Sequence, residues 1–130
     1  MLGKIFRAIK GDKRSPEELE QERRWKKGNR AAMTPGTKAF TVSQEALLAA
    51  AKVAKLEERL HRAELGMEPL SDEDRALAQA DVQFYQSHYK SRCDELHRLI
   101  ADPDAACVPD SSDIALPVGS PSARAAQRSG

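Results

Sequence analysis

Three histidines and two cysteines are the residues of this chain best suited to bind a metal ion. Cys93 and His97 are four residues apart, and this spacing would place both side chains on one face of a helix, as zinc ligands can be. His61 lies on a different predicted helix and would be roughly 30 Å from His97, at 1.5 Å per residue. These groups do not converge, so we expect no metal site and no cofactor.

Other polar residues lack the surroundings that catalysis requires. Ser87 and His88 are not framed by the strand, turn and helix of a nucleophile elbow. The acidic run at 72–74 lacks the spacing of a calcium-binding loop and suits the first turn of a helix, where negative charge is stabilising. We therefore expect no catalytic residues and no enzymatic activity. A site assembled between subunits around Tyr85, His88 and Tyr89 is the enzymatic alternative.

The composition indicates exposed helices rather than a thick globular core. Of the 130 residues, 40% are hydrophobic, 5% are aromatic and 32% are charged. A chain of this length forms one modest domain or less, and it has few large side chains with which to enclose a cavity. We expect no small-molecule substrate.

Charge is unevenly distributed along the chain. Residues 1–40 hold 11 Lys and Arg against 5 Asp and Glu, a net charge of +6, whereas residues 41–102 hold 8 against 12, a net charge of −4. A basic arm on an acidic body suggests an anionic partner for residues 1–38. With two cysteines and no long apolar run, the chain is expected in the cytoplasm, in solution, at the periphery of a membrane or within a larger assembly.

Hydrophobic periodicity and capping residues predict an all-α fold. Ser15 and Pro16 begin a polar helix that few contacts hold and that Gly28 weakens. The predicted segments are a basic amphipathic leader (1–14), a polar charged helix (15–33), a linker (34–42), a helical hairpin (43–102) and a disordered C-terminal tail (103–130).

The coiled-coil-like hairpin is predicted from a continuous apolar seam and a short loop. Gly66 ends the first helix and Ser71 caps the second, so the two helices must run antiparallel. Paired positions then sum to roughly 137, which places Val53 near Tyr85. The seam of the first helix alternates steps of four and three. It consists of Val42, Ala46, Ala49, Val53, Leu56, Leu60, Ala63 and Met67.

The second hairpin helix is predicted to extend beyond the first, and its overhang needs cover. Leu96, Leu99 and Ile100 are the apolar residues of this overhang. They are predicted to form a partner or oligomer interface together with Trp25 and Phe40, because a lone hairpin exposes too much apolar surface. The alternative is that the segment preceding the hairpin folds back over them.

The leader has the pattern of a short amphipathic helix. It predicts contact with a membrane or another anionic surface, since apolar side chains would enter lipid while basic ones meet headgroups. The alternative is docking on the hairpin, or disorder. In composition the leader is similar to those of some peripheral membrane proteins and some phage virion proteins. Its apolar contacts would be Ile5, Phe6 and Ile9, and its basic contacts Lys4, Arg7 and Lys10.

The polar helix carries a second basic cluster, formed by Arg23, Arg24, Lys26 and Lys27. These residues could contact nucleic-acid phosphates while Trp25 stacks on a base. The alternative is a solvated helix whose glutamates balance the charge. The hairpin itself does not resemble a helix-turn-helix reader, because its helices are long and antiparallel.

Together these features predict a non-enzymatic helical interaction or assembly protein, structural or tethering, with a protein partner or self-association. A nucleic-acid-binding accessory protein is one alternative, and a phage virion-type structural component, suggested by the leader's composition, is another.

Overall fold

A computed structural model of the chain describes residues 15–129, and within them it shows helices and no strand. The all-α prediction is therefore confirmed for this part of the chain. The leader lies outside the described residues, so its predicted contacts stay predictions. The helices are α1 (Pro16–Ala32), α2 (Lys38–Glu64), α3 (Asp72–Ala101), α4 (Pro103–Ala106) and α5 (Pro121–Ser129).

Helix α1 begins where its capping residues indicate. The hydroxyl of Ser15 accepts a hydrogen bond from the Glu18 amide at 3.2 Å, and Pro16 occupies the first turn, where its missing amide hydrogen is not needed.

Helix α2 begins five residues earlier than predicted. The predicted linker at 34–42 is therefore wrong at its end, since residues 38–42 are helical. Thr37 is the capping residue: its hydroxyl accepts from the Phe40 amide at 3.1 Å and donates to the Ala31 carbonyl at 2.6 Å. Thr41, whose side chain could also cap a helix, is inside α2, and its hydroxyl donates to the Thr37 carbonyl. Thr37, Thr41 and Ser43 all have capping chemistry, and only Thr37 also reaches the end of α1.

Helices α2 and α3 pack along one another, and two contacts between them agree with the antiparallel register. Arg92 Nη1 lies 3.5 Å from Glu45 Oε1, and Lys52 Nζ lies 5.9 Å from the centre of the Tyr85 ring. Both pairs sum to 137. At the end of α2, Gly66 has a positive φ of 74°, and the Met67 amide donates to the Arg62 carbonyl, which satisfies a helix-terminal acceptor.

Burial along the predicted seam is uneven. Val42, Ala46, Ala49 and Leu56 are buried, whereas Met67, at the loop, is 71% exposed. The main core lies at the other end of the hairpin, where α1 and α4 join α2 and α3. Its members are Ala31, Ala39, Val42, Leu99 and Ala106.

The overhang of α3 is covered within the chain by small residues. Leu99 is 1% exposed and contacts the alanines of the core. A Cβ atom placed on Gly28 would lie 2.2 Å from the Ile100 carbonyl oxygen, so the backbones of α1 and α3 approach directly at this point. Gly28 therefore permits packing, and the expectation that few contacts hold α1 is wrong.

The C-terminal segment is only in part irregular. Residues 107–120 have no helix, but α4 and α5 flank them, which corrects the prediction of disorder over 103–130. The Lys38 amide donates to the Val108 carbonyl and the Asp110 amide to the Gly36 carbonyl, so this segment is bonded to the loop before α2. Both helices begin with proline, as α1 does, and this signal was missed.

Candidate interaction surfaces

The side of α2 that faces away from α3 is a mainly apolar surface, with the half-buried Gln44 as its polar residue. We call it the α2 outer face. Its large side chains are Leu47, which is 59% exposed, and Leu48, which is 39% exposed. At 3.6 residues per turn, positions 47, 51 and 54 fall on one side of the helix, opposite the buried positions 42, 46 and 49. The α2 outer face consists of Phe40, Gln44, Leu47, Leu48, Ala51 and Ala54.

This face carries no charge over about four helical turns. Between residues 40 and 54 the charged residues are Glu45 and Lys52. Glu45 pairs with Arg92, and Lys52 lies over the Tyr85 ring, so both side chains are directed toward α3. Charged residues make up 32% of the chain, so a helical face of this length without charge differs in composition from the rest of the protein.

The outward side of α3 provides a contrast. Residues 82–89 also lack Asp, Glu, Lys and Arg, but their exposed positions hold Gln83, Gln86, Ser87 and Tyr89, with Gln79 one turn earlier. The polar groups of glutamine, serine and tyrosine side chains hydrogen-bond to water, whereas leucine side chains have no polar group. The α2 outer face is therefore the surface whose burial would be more favourable.

The basic cluster of α1 is exposed, but acidic neighbours accompany it. Arg23 lies 3.1 Å from Glu20, and Lys26 lies 3.2 Å from Glu22. Arg24 lies 3.9 Å from Asp102, and Lys27 lies 4.0 Å from Asp104, both just beyond α3. Such exposed pairs contribute little to stability, and they reduce the positive potential that a phosphate would meet.

The five residues predicted as a partner interface do not lie on a common surface. Leu99 is buried within the chain, and Leu96 and Ile100 are partly buried at the same junction. Phe40 is partly buried at the start of α2. Trp25 is 58% exposed and lines a shallow cavity of about 260 Å³ with Gln21, Arg24 and Ala101.

The residues with catalytic potential differ in burial and in surroundings. Among residues 15–129, no group of three or more His, Cys, Asp or Glu is placed to hold a metal ion. Tyr85 is buried, while Tyr89 is exposed. His88 lines an open cleft of about 480 Å³ with Phe84 and Pro117. Burial and the nearby Arg92 guanidinium lower the pKa of His88 below its ordinary value.

A buried carboxylate that sequence reasoning missed holds the C-terminal helix. Asp81 is buried on α3 and accepts a hydrogen bond from the Ser122 amide at 2.9 Å and another from the Ser122 hydroxyl. Ser122 is in the first turn of α5, where unpaired amides and the helix dipole favour negative charge. An aspartate within the apolar face of α3 was the available signal, since such a residue needs a partner.

None of the helices between residues 15 and 129 combines the length and apolar character that crossing a membrane requires. Comparison of the chain with known protein families, curated proteins and solved structures finds no match.

Proposed function

We propose that this protein is a helical assembly protein that binds another helix through the α2 outer face, while its basic N-terminal arm contacts an anionic surface. The observation that carries the proposal is the exposed, uncharged face around Leu47 and Leu48. Extended apolar faces on helices are commonly where partner helices bind. The packing of α2 along α3 supports this face from the opposite side of the helix.

Substitution of Leu47 by lysine tests the protein interface. The Leu47 side chain is already 59% exposed, so the variant should fold as the wild type does. A charge at the centre of an apolar interface should weaken partner binding about tenfold or more. The measurement is quantitative capture from the native extract after chemical cross-linking, with the wild-type or variant chain added at about 100 μM so that a weakly bound partner is retained. Gln79→Lys is the matched control, since it adds the same charge at an exposed site on α3.

The proposal requires a captured partner that Leu47→Lys loses and Gln79→Lys retains. Equal capture by all three chains would show that the α2 outer face is not the binding surface.

The anionic contact of the arm is tested with vesicles. The full chain should float with phosphatidylserine-containing vesicles and not with phosphatidylcholine alone, and binding should fall as salt is raised. Glutamate at Lys4, Arg7 and Lys10 should abolish flotation. Equal flotation of this variant, or none by the wild type, would remove the arm from the proposal.

Nucleic-acid binding is the second candidate, favoured by the exposed Trp25 within the basic cluster of α1. Salt-dependent binding of a DNA duplex or single strand that is lost when Arg23, Arg24, Lys26 and Lys27 are changed to glutamate would support it over the vesicle surface. The ion pairs of these four residues disfavour nucleic-acid binding, because phosphates would have to displace the carboxylates already paired with them.

A further inference from the structure

We infer that the α2 outer face binds a second copy of this chain, through an antiparallel pairing of the two α2 helices. This inference rests on the proposed function and identifies its partner. It is drawn from the absence of charge on the face and from the order of large and small side chains along it.

Charge complementarity favours a partner face that is itself uncharged. A charged side chain placed against Leu47 and Leu48 would lose its hydration without gaining an opposite charge. Glu45 and Lys52, the charged residues of this stretch, are already directed toward α3. Between residues 44 and 54, a second copy supplies a face that meets this requirement.

Side-chain size is also complementary when the face meets itself in reverse. Leu47 and Ala51 are one helical turn apart on this face. If residue 44 of one helix lies opposite residue 54 of the other, Leu47 of each copy lies against Ala51 of its partner. Alanine allows the helix axes to approach to about 8 Å, and each leucine fills the space beside it. The contact is symmetric, as in most homodimers.

The limited area predicts a reversible dimer. The paired stretch, residues 44–54 of each copy, covers about 16 Å of helix, and one such pair of helices falls below the roughly 1,200 Å² of a stable interface. The dissociation constant of the dimer should therefore be about 10 μM to 1 mM.

Sedimentation velocity of the full chain over this concentration range tests the inference. The wild type and Gln79→Lys should shift from monomer toward dimer as concentration rises, whereas Leu47→Lys should remain monomeric. Ala51→Glu, a second exposed position on the same face, should also remain monomeric. Circular dichroism of each variant should match the wild type.

Two results would overturn the inference: a wild-type chain that stays monomeric throughout, or variants that dimerise as the wild type does. A monomeric wild type whose native partner is nevertheless lost with Leu47→Lys would overturn self-pairing and leave the proposed function standing. If the wild type stays monomeric and Leu47→Lys also loses no captured partner, both self-pairing and the proposed function are rejected.

Discussion

The two ends of the α2–α3 hairpin are built differently. At the end where α1 and α4 pack, Leu99 and Val42 are fully buried among alanines. At the loop end, Leu65 is 60% exposed and Met67 is 71% exposed. Large apolar residues are present at both ends, but α1 and α4 pack on α2 and α3 at the first end and leave Leu65 and Met67 exposed at the other.

This difference predicts where the fold is most stable. Packing density and buried apolar area are concentrated at the α1 junction, so the loop end should open first in local fluctuations. Between the two ends lies the α2 outer face, which the hairpin supports but leaves exposed.

The largest effect should come from Leu99→Ala. It removes a fully buried side chain from the core and leaves a cavity, so we expect a loss of about 2–5 kcal/mol in the free energy of unfolding. The matched variant Met67→Ala, at the loop end, should change it by about 0.5 kcal/mol or less. Urea denaturation followed by circular dichroism measures both. Similar losses in the two variants would contradict the difference between the ends.

A smaller effect should follow from Gly28→Ala. In an unobstructed helix this change stabilises by about 1 kcal/mol, because alanine has the higher helix propensity. Here the added Cβ would meet the Ile100 backbone, so we expect a net loss of about 1–3 kcal/mol as α1 shifts away from α3. Thermal unfolding measures the change. An increase in melting temperature would show that the two backbones do not approach as described.

Capping residues and prolines in the sequence were sufficient to predict most helix ends. The hydroxyl of Ser71 accepts from the Asp74 amide as its position predicts, and α3 ends before Pro103. The start of α2 could not be predicted from capping residues, because Thr37, Thr41 and Ser43 each have a hydroxyl that can cap a helix. Selection among them depends on the Ala31 carbonyl, which belongs to another helix.

Features that depend on distant parts of the chain were not predictable from local patterns. Gly28 was interpreted by helix propensity alone, since nothing near it indicates the Ile100 backbone. The α2 outer face was overlooked for a different reason: the seam accounted for one set of apolar residues, and Leu47 and Leu48 were left unassigned. A second apolar stripe on the same helix was the signal that could have identified it.

The pairing of two α2 helices is tested most directly by distances between spin labels on two copies. With Cys93 and Cys107 changed to serine, single labels are placed at Glu57 or at Glu64, which are exposed and lie beside the α2 outer face rather than on it. The inter-copy distance is measured by pulsed electron paramagnetic resonance near 1 mM, about the concentration expected for the dimer. Antiparallel pairing predicts labels at 57 roughly 24 Å apart along the helix axes and labels at 64 roughly 45 Å apart. Equal distances at the two positions, or no inter-copy distance at either, would contradict the account.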